Sequence, residues 1–158
     1  MFILKILIGI LAIYCSVNIA KCHADKIKNK YYFFKDVCMF CKEYEINLSY
    51  DKKDLKLFLN NEYSSVEFDT LLKKFITDGE INDDSIPKFL NDKEVREVVS
   101  MLNSLGKSDS KSQLLSITNY YKIFSDIQSE KNLEFKKFYS VYVKIGFSIG
   151  LMLLIMVI

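Results

Sequence analysis

Cys38-Met39-Phe40-Cys41 is the stretch of this 158-residue chain whose residue types and spacing most plainly offer chemistry. Two thiols three residues apart on a helix can meet one metal ion or each other. A closed zinc site needs further ligands, yet Cys15 and Cys22 lie in or beside an apolar amino-terminal run, and the single histidine, His23, adjoins it. Both Cys38 and Cys41 also fall on an apolar stripe, where cysteine behaves as a small hydrophobe. Core packing is the expectation for the pair, and a membrane-bound thiol-disulfide or metal-binding protein is the alternative.

Other reactive arrangements are thinner still. With His23 alone, no Ser-His-Asp or Cys-His pair can be assembled in the middle of the chain. Asp83 and Asp84 could meet a hard cation, but the loop around them lacks the regularly alternating oxygen ligands of a calcium site, so a solvated acidic loop is expected. Leu105-Gly106-Lys107-Ser108 contains Gly-Lys-Ser, but Met101 stands where a phosphate-cradling loop needs its first glycine. It makes better sense as a helix stop followed by a helix start, with Gly106 at positive φ and Ser108 or Asp109 capping the next amides. No catalytic residue, cofactor, metal or small-molecule substrate is expected, and the chain is not expected to be an enzyme.

The elements that hold these residues are helical by composition. Five glycines and one proline leave few of the turn residues that short strands require, so an all-α fold is expected. Lys+Arg 22 against Asp+Glu 20 is too balanced for a dense phosphate-neutralising face, which argues against nucleic acid as a partner.

Both ends are apolar. Phe2 to Ala20 is broken only by Lys5, Ser16 and Asn18, and about 19 residues at 1.5 Å each nearly match a hydrocarbon core of roughly 30 Å. Phe138 to Ile158 is a second such run, with Lys144 placed to snorkel. The expected organisation is an amino-terminal transmembrane anchor at 1–21, a soluble helical bundle at 22–137, and a transmembrane helix at 138–158 continuous with the last bundle helix. A signal peptide cleaved after Ala24 is the rival for the first segment, but Lys21 sits where small neutral residues are wanted. Lys21, Lys26, Lys28 and Lys30 follow the first segment, and Lys136 and Lys137 precede the second, which places the middle domain on the cytoplasmic side.

Within the middle, Phe34, Val37, Cys38, Cys41, Tyr44 and Leu48 recur at helical spacing and predict one amphipathic helix from about Asp25 to Leu48. Ser49 or Asp51 would cap a short second helix carrying Leu55, Phe58 and Leu59. A third opens at Ser64 or Ser65 and stops at Gly79, and a loop over 78–91 has room for one short helical turn. Asn91 or Asp92 caps a fourth with Val95, Val98, Val99, Leu102 and Leu105 on one face. The last, capped by Ser108 or Asp109, meets no breaker before Gly146 and predicts one helix of about 50 residues, roughly 75 Å long. The sum is a membrane-anchored antiparallel bundle of about five to six helices.

Two stretches carry a resemblance. Glu43-Tyr44-Glu45-Ile46-Asn47-Leu48-Ser49-Tyr50, and Leu105, Gly106, Ser108 and Asp109 with Gln113 four residues on, resemble the stage III sporulation protein AB family of endospore-forming bacteria, as do the two apolar ends. The chain departs from that family in lacking a threonine-proline after the first helix and a tryptophan in the middle. The resemblance implies a type II secretion F-like cytoplasmic helical domain. It also implies a place in the mother-cell membrane, in the secretion-like channel between mother cell and forespore. The implied partners are the cytoplasmic ATPase, stage III sporulation protein AA, and neighbouring channel subunits, with Leu105, Gly106, Ser108, Asp109 and Gln113 as a turn and possible interface.

Overall fold

No proline stands between Met1 and Tyr50, and the only glycine there is Gly9, so no residue type in the chain stops a helix once it has started. The computed structural model describes residues 2–51 and 54–157; at positions 2–9, 12, 13, 51, 138–140, 143, 146, 150, 153, 154, 156 and 157 it describes the backbone only. In it α1 runs Phe2–Ile46 as one helix, so the start expected near Asp25 is an interior position. A π-helical turn, Asn47–Asp51, ends it. Then come α2 (Leu55–Leu59), α3 (Val66–Asp78), a 3-10 turn (Asp83–Ser85), α4 (Asp92–Ser104) and α5 (Ser110–Val157). The described residues contain no strand, as an all-α fold requires.

Most helix ends follow the local chemistry of their residues. Ser65 caps α3 by accepting from the Phe68 amide, and Gly79 stops it in the left-handed region at φ 77°. Asn91 and Glu94 form a reciprocal capping box at the start of α4. At α2 the cap is Asp54, whose carboxylate accepts from the Lys56 amide, and not Ser49 or Asp51. The reason is that the π-helical turn carries Ser49 and Asp51 along with the preceding helix, whereas Asp54, at φ −55° and ψ 137°, stands directly before α2.

The chain divides into two compact units, and α1 and α5 contribute to both. Lys30–Ser129 is a helical bundle. Its contacts fix the helix directions: Phe34 meets Phe124 and Lys42 lies over the Tyr121 ring, so α1 and α5 run antiparallel there. Lys30 pairs with Glu94 at 2.7 Å, and the Cys41 and Met101 sulfurs are 3.5 Å apart, so α4 runs parallel to α1. Phe33, Phe34 and Phe40, all fully buried on α1, form the centre. Phe40 alone meets the rings of Tyr44, Phe58, Tyr63 and Phe68. The 79–91 loop is pinned by Asn103, whose side-chain amide exchanges two hydrogen bonds with the Ile81 backbone at 2.8 and 2.9 Å.

The second unit consists of residues 1–29 and 130–158. Here His23 and Tyr142 meet edge to face with ring centroids 4.9 Å apart. Cys22-His23-Ala24-Asp25 lies inside α1, and Ala24 is fully buried. Among the described residues no helix is long and apolar enough to cross a membrane. The spans expected at 1–21 and 138–158 fall in good part on side chains outside the described residues, and the expected boundaries at 21/22 and 137/138 lie within α1 and α5.

Phe40→Ala should cost about 3–5 kcal/mol, the usual range for removing a large ring from a filled core. Chemical denaturation of the full chain followed by circular dichroism measures it, with Tyr50→Ala, 82 % exposed, as a near-neutral control.

Candidate functional site

The residues from Leu105 to Gln113 form the link between α4 and α5, and each has a defined place. Leu105 is the C-cap of α4 and belongs to the buried core. Gly106 has φ 72°, a conformation that side-chain-bearing residues disfavour, and a Cβ there would stand 3.0 Å from Leu55 Cδ2. The positive φ selects glycine, whereas the end of the Leu55 side chain would need to give by only a few tenths of an ångström. Ser108 is exposed and is not the cap. Asp109 is: its Oδ2 accepts from the Lys111 and Ser112 amides at 3.1 Å, and its carbonyl accepts from the Gln113 amide at 2.9 Å. The Ser112 hydroxyl and these amides hold the Asp109 carboxyl below the usual aspartate range.

Gln113, only 6 % exposed, is the polar centre of the link. Its Nε2 donates to the Ser104 carbonyl at 3.1 Å, which ties the start of α5 to the end of α4. Its Oε1 accepts from the Tyr44 hydroxyl, which ties both to α1. The Gly106 backbone amide also bonds the Tyr44 phenol, partly opposing the upward shift that burial gives that group. Thus the two stretches that carried the family resemblance, 43–50 and 105–113, meet at one hydrogen-bonded clasp. Beside it is a cavity of about 30 Å³, lined by Tyr44, Ser104, Ser108, Gln113 and Ser116 among others. That is the scale of one ordered water and not of a substrate.

Cys38 and Cys41 are both buried in the core. Burial pushes the Cys38 thiol up to about 12, against a lesser lowering by Lys42. Burial, reinforced by Cys38 and Glu45, also raises Cys41. Both are therefore neutral thiols at physiological pH and poor nucleophiles. Asp83 and Asp84 sit exposed in the 3-10 turn, and no cluster suited to a metal ion occurs among the described residues.

Three polar residues escaped the sequence reading. Asp36 is fully buried on the aromatic stripe, where its Oδ2 accepts from the Ser65 amide at 2.5 Å and so positions the start of α3. Lys30, counted above among the lysines that follow the first apolar segment, also makes a largely buried ion pair with Glu94. Tyr44 was assigned to the stripe for its ring, and its hydroxyl proves to be what bonds the clasp. The only local signal was a polar atom at a core-facing position in each case. The chain matches no protein-family model, and neither the curated proteins nor the solved structures contain a match to it.

Tyr44→Phe keeps the ring and removes the hydroxyl, leaving the Gln113 carbonyl and the Gly106 amide short of a partner. It should cost about 1–3 kcal/mol in chemical denaturation, more than a surface substitution does. Asp109, with its folded pKa depressed, stabilises the chain above the unfolded aspartate value of about 3.9, and that contribution disappears as pH falls through the folded value. Asp109→Asn, which can still cap, should flatten the acid side of a stability-against-pH curve; an unchanged acid limb would show that the cap carries no such linkage.

Proposed function

We propose that the chain is a non-enzymatic membrane scaffold whose two apolar ends lie in lipid and whose helical bundle stands on the cytoplasmic side as a docking part for an assembly. The observation that carries this is the outward apolar surface of the 1–29 and 130–158 unit. Ile10, Leu11, Ile19, Phe147, Met152 and Ile155 are all more than half exposed there. So many large apolar side chains exposed on one unit call for a lipid or protein covering. Two polar side chains within these runs give their donors back to their own helix, Asn18 to the Tyr14 carbonyl and Ser148 to the Lys144 carbonyl, both at 2.9 Å. That is how polar groups are accommodated where water is scarce.

The specific setting follows from the resemblance. On this reading the chain is a component of the mother cell–forespore channel needed for endospore formation, located in the mother-cell (outer forespore) membrane. It docks the ATPase, stage III sporulation protein AA, to the membrane assembly. Residues 105–113 then serve by fixing the shape that the bundle presents, since Tyr44, Gly106 and Gln113 are engaged with one another. Because α1 and α5 contribute to both compact units, neither end is a separable tag.

Carbonate washing of membranes from cells expressing the full chain tests the anchoring: the protein should remain in the pellet. Proteolysis of inverted vesicles should then digest Lys30–Ser129 while sparing the ends. Recovery in the wash would refute the scaffold reading. Co-purification with the ATPase from detergent extracts, weakened by Tyr44→Phe, tests the docking role separately.

A further inference from the structure

Within the 1–29 and 130–158 unit, α1 and α5 enclose a cleft of about 550 Å³ whose walls change character along its length. One end is mainly apolar, formed by Ile19 and Ala20 of α1 with Ile145 and Ile149 of α5 and a single hydroxyl, that of Ser16, and Cys22 also lines the cleft. One helical turn further along α1 stands His23, against the edge of Tyr142, and nearly one turn beyond that stands Lys26. At 1.5 Å rise per residue, the passage from Ile19 to Lys26 is about 10 Å along the helix. A side chain that is aromatic with a polar tip marks the middle, as at the boundary between acyl chains and headgroups.

The charge of this unit is lopsided. It holds eight lysines, Lys5, Lys21, Lys26, Lys28, Lys131, Lys136, Lys137 and Lys144, against three carboxylates, Asp25, Glu130 and Glu134. Glu130 and Glu134 are both bound by Lys131, at 2.9 and 3.0 Å. The Lys30–Ser129 unit is the reverse, with fourteen basic side chains against seventeen acidic ones, which is why the whole chain looks nearly neutral. A mainly apolar trough that ends in a histidine and a lysine, within a unit of net positive charge, matches one chemical class of occupant, an amphiphile with an anionic head.

We propose that this cleft binds one anionic phospholipid, with an acyl chain along Ile19, Ile145 and Ile149 and the phosphate at His23 and Lys26. The site rests on the membrane reading given above and adds to it a selectivity for lipid charge. A zwitterionic lipid fills the trough equally well but offers the lysines a headgroup of no net charge. Preference for the anionic lipid is therefore set at Lys26 and its basic surroundings, at about fivefold per lysine near the surface.

The chain has no tryptophan, so Tyr142→Trp places a sole indole in the cleft. The full-length variant is reconstituted in phosphatidylcholine vesicles, and quenching by brominated phosphatidylglycerol is compared with quenching by brominated phosphatidylcholine at equal mole fraction. The site predicts several-fold stronger quenching by the glycerol lipid, unchanged by excess inorganic phosphate and reduced to the choline level by His23→Ala with Lys26→Ala. Equal quenching by both lipids overturns the site while leaving the membrane reading intact, as a second copy or another helix filling the cleft would. Loss of the preference on adding inorganic phosphate overturns a lipid occupant, and quenching by neither lipid overturns both readings. Ile149→Trp, in the same cleft, gives the same comparison should Tyr142→Trp fail to fold.

Discussion

The Lys30–Ser129 unit depends on one constraint: the aromatic stripe of α1 has to be covered from every side. Phe33, Phe34 and Phe40 are fully buried, and their ring partners come from α2, α3, α5 and the segments before α3 and α4, in Phe58, Tyr63, Phe68, Phe89 and Phe124. Edge-on ring pairs favour particular angles as well as burial, each adding about 0.5–1.5 kcal/mol beyond area. A stripe of this kind therefore orients its neighbours as well as attracting them. Asp36 turns the same surface to a second use, since its carboxylate reaches the Ser65 amide from within the stripe and sets where α3 begins.

Polar chemistry in the bundle is spent on joints. The clasp of Tyr44, Gly106 and Gln113 joins three helices at the α4–α5 link, the Asn103 amide holds the 79–91 loop, and Glu94 both closes the α4 capping box and pairs with Lys30. In each case a buried donor or acceptor finds a partner from a distant part of the chain, which makes these points costly to alter. This pattern suits a part that must hold a shape, and it explains how a conspicuous sequence stretch at 105–113 can be tightly specified around an inner cavity no larger than one water.

What could be read from the sequence was what neighbours in the chain decide. Ser65, Asn91 and Asp109 cap their helices through side-chain oxygens two or three residues from the amides they serve, and Gly79 and Gly106 stop helices by a property of their own backbones. The long α5 followed from the lack of any breaker. The cap of α2 was missed because the π-helical turn over Asn47–Asp51 delays the end of α1, something no residue type announces. The pairings of Tyr44 with Gln113, Lys30 with Glu94 and Asp36 with Ser65 lie 69, 64 and 29 positions apart. Such contacts leave no periodic trace. Lys30 is an example, because its place beside an apolar run says nothing of the partner that the fold gives it.

One helix, α1, carries all four cysteines in two opposite environments, with Cys15 and Cys22 exposed and Cys38 and Cys41 enclosed. Reaction of Cys38 and Cys41 with a water-soluble alkylating reagent is therefore a gauge of integrity: this pair becomes countable whenever the aromatic core opens, even if helix content hardly changes. The molecule thus contains its own unlabelled reporter of partial unfolding, and the rise of the buried pair's reactivity with temperature or denaturant would trace that opening directly.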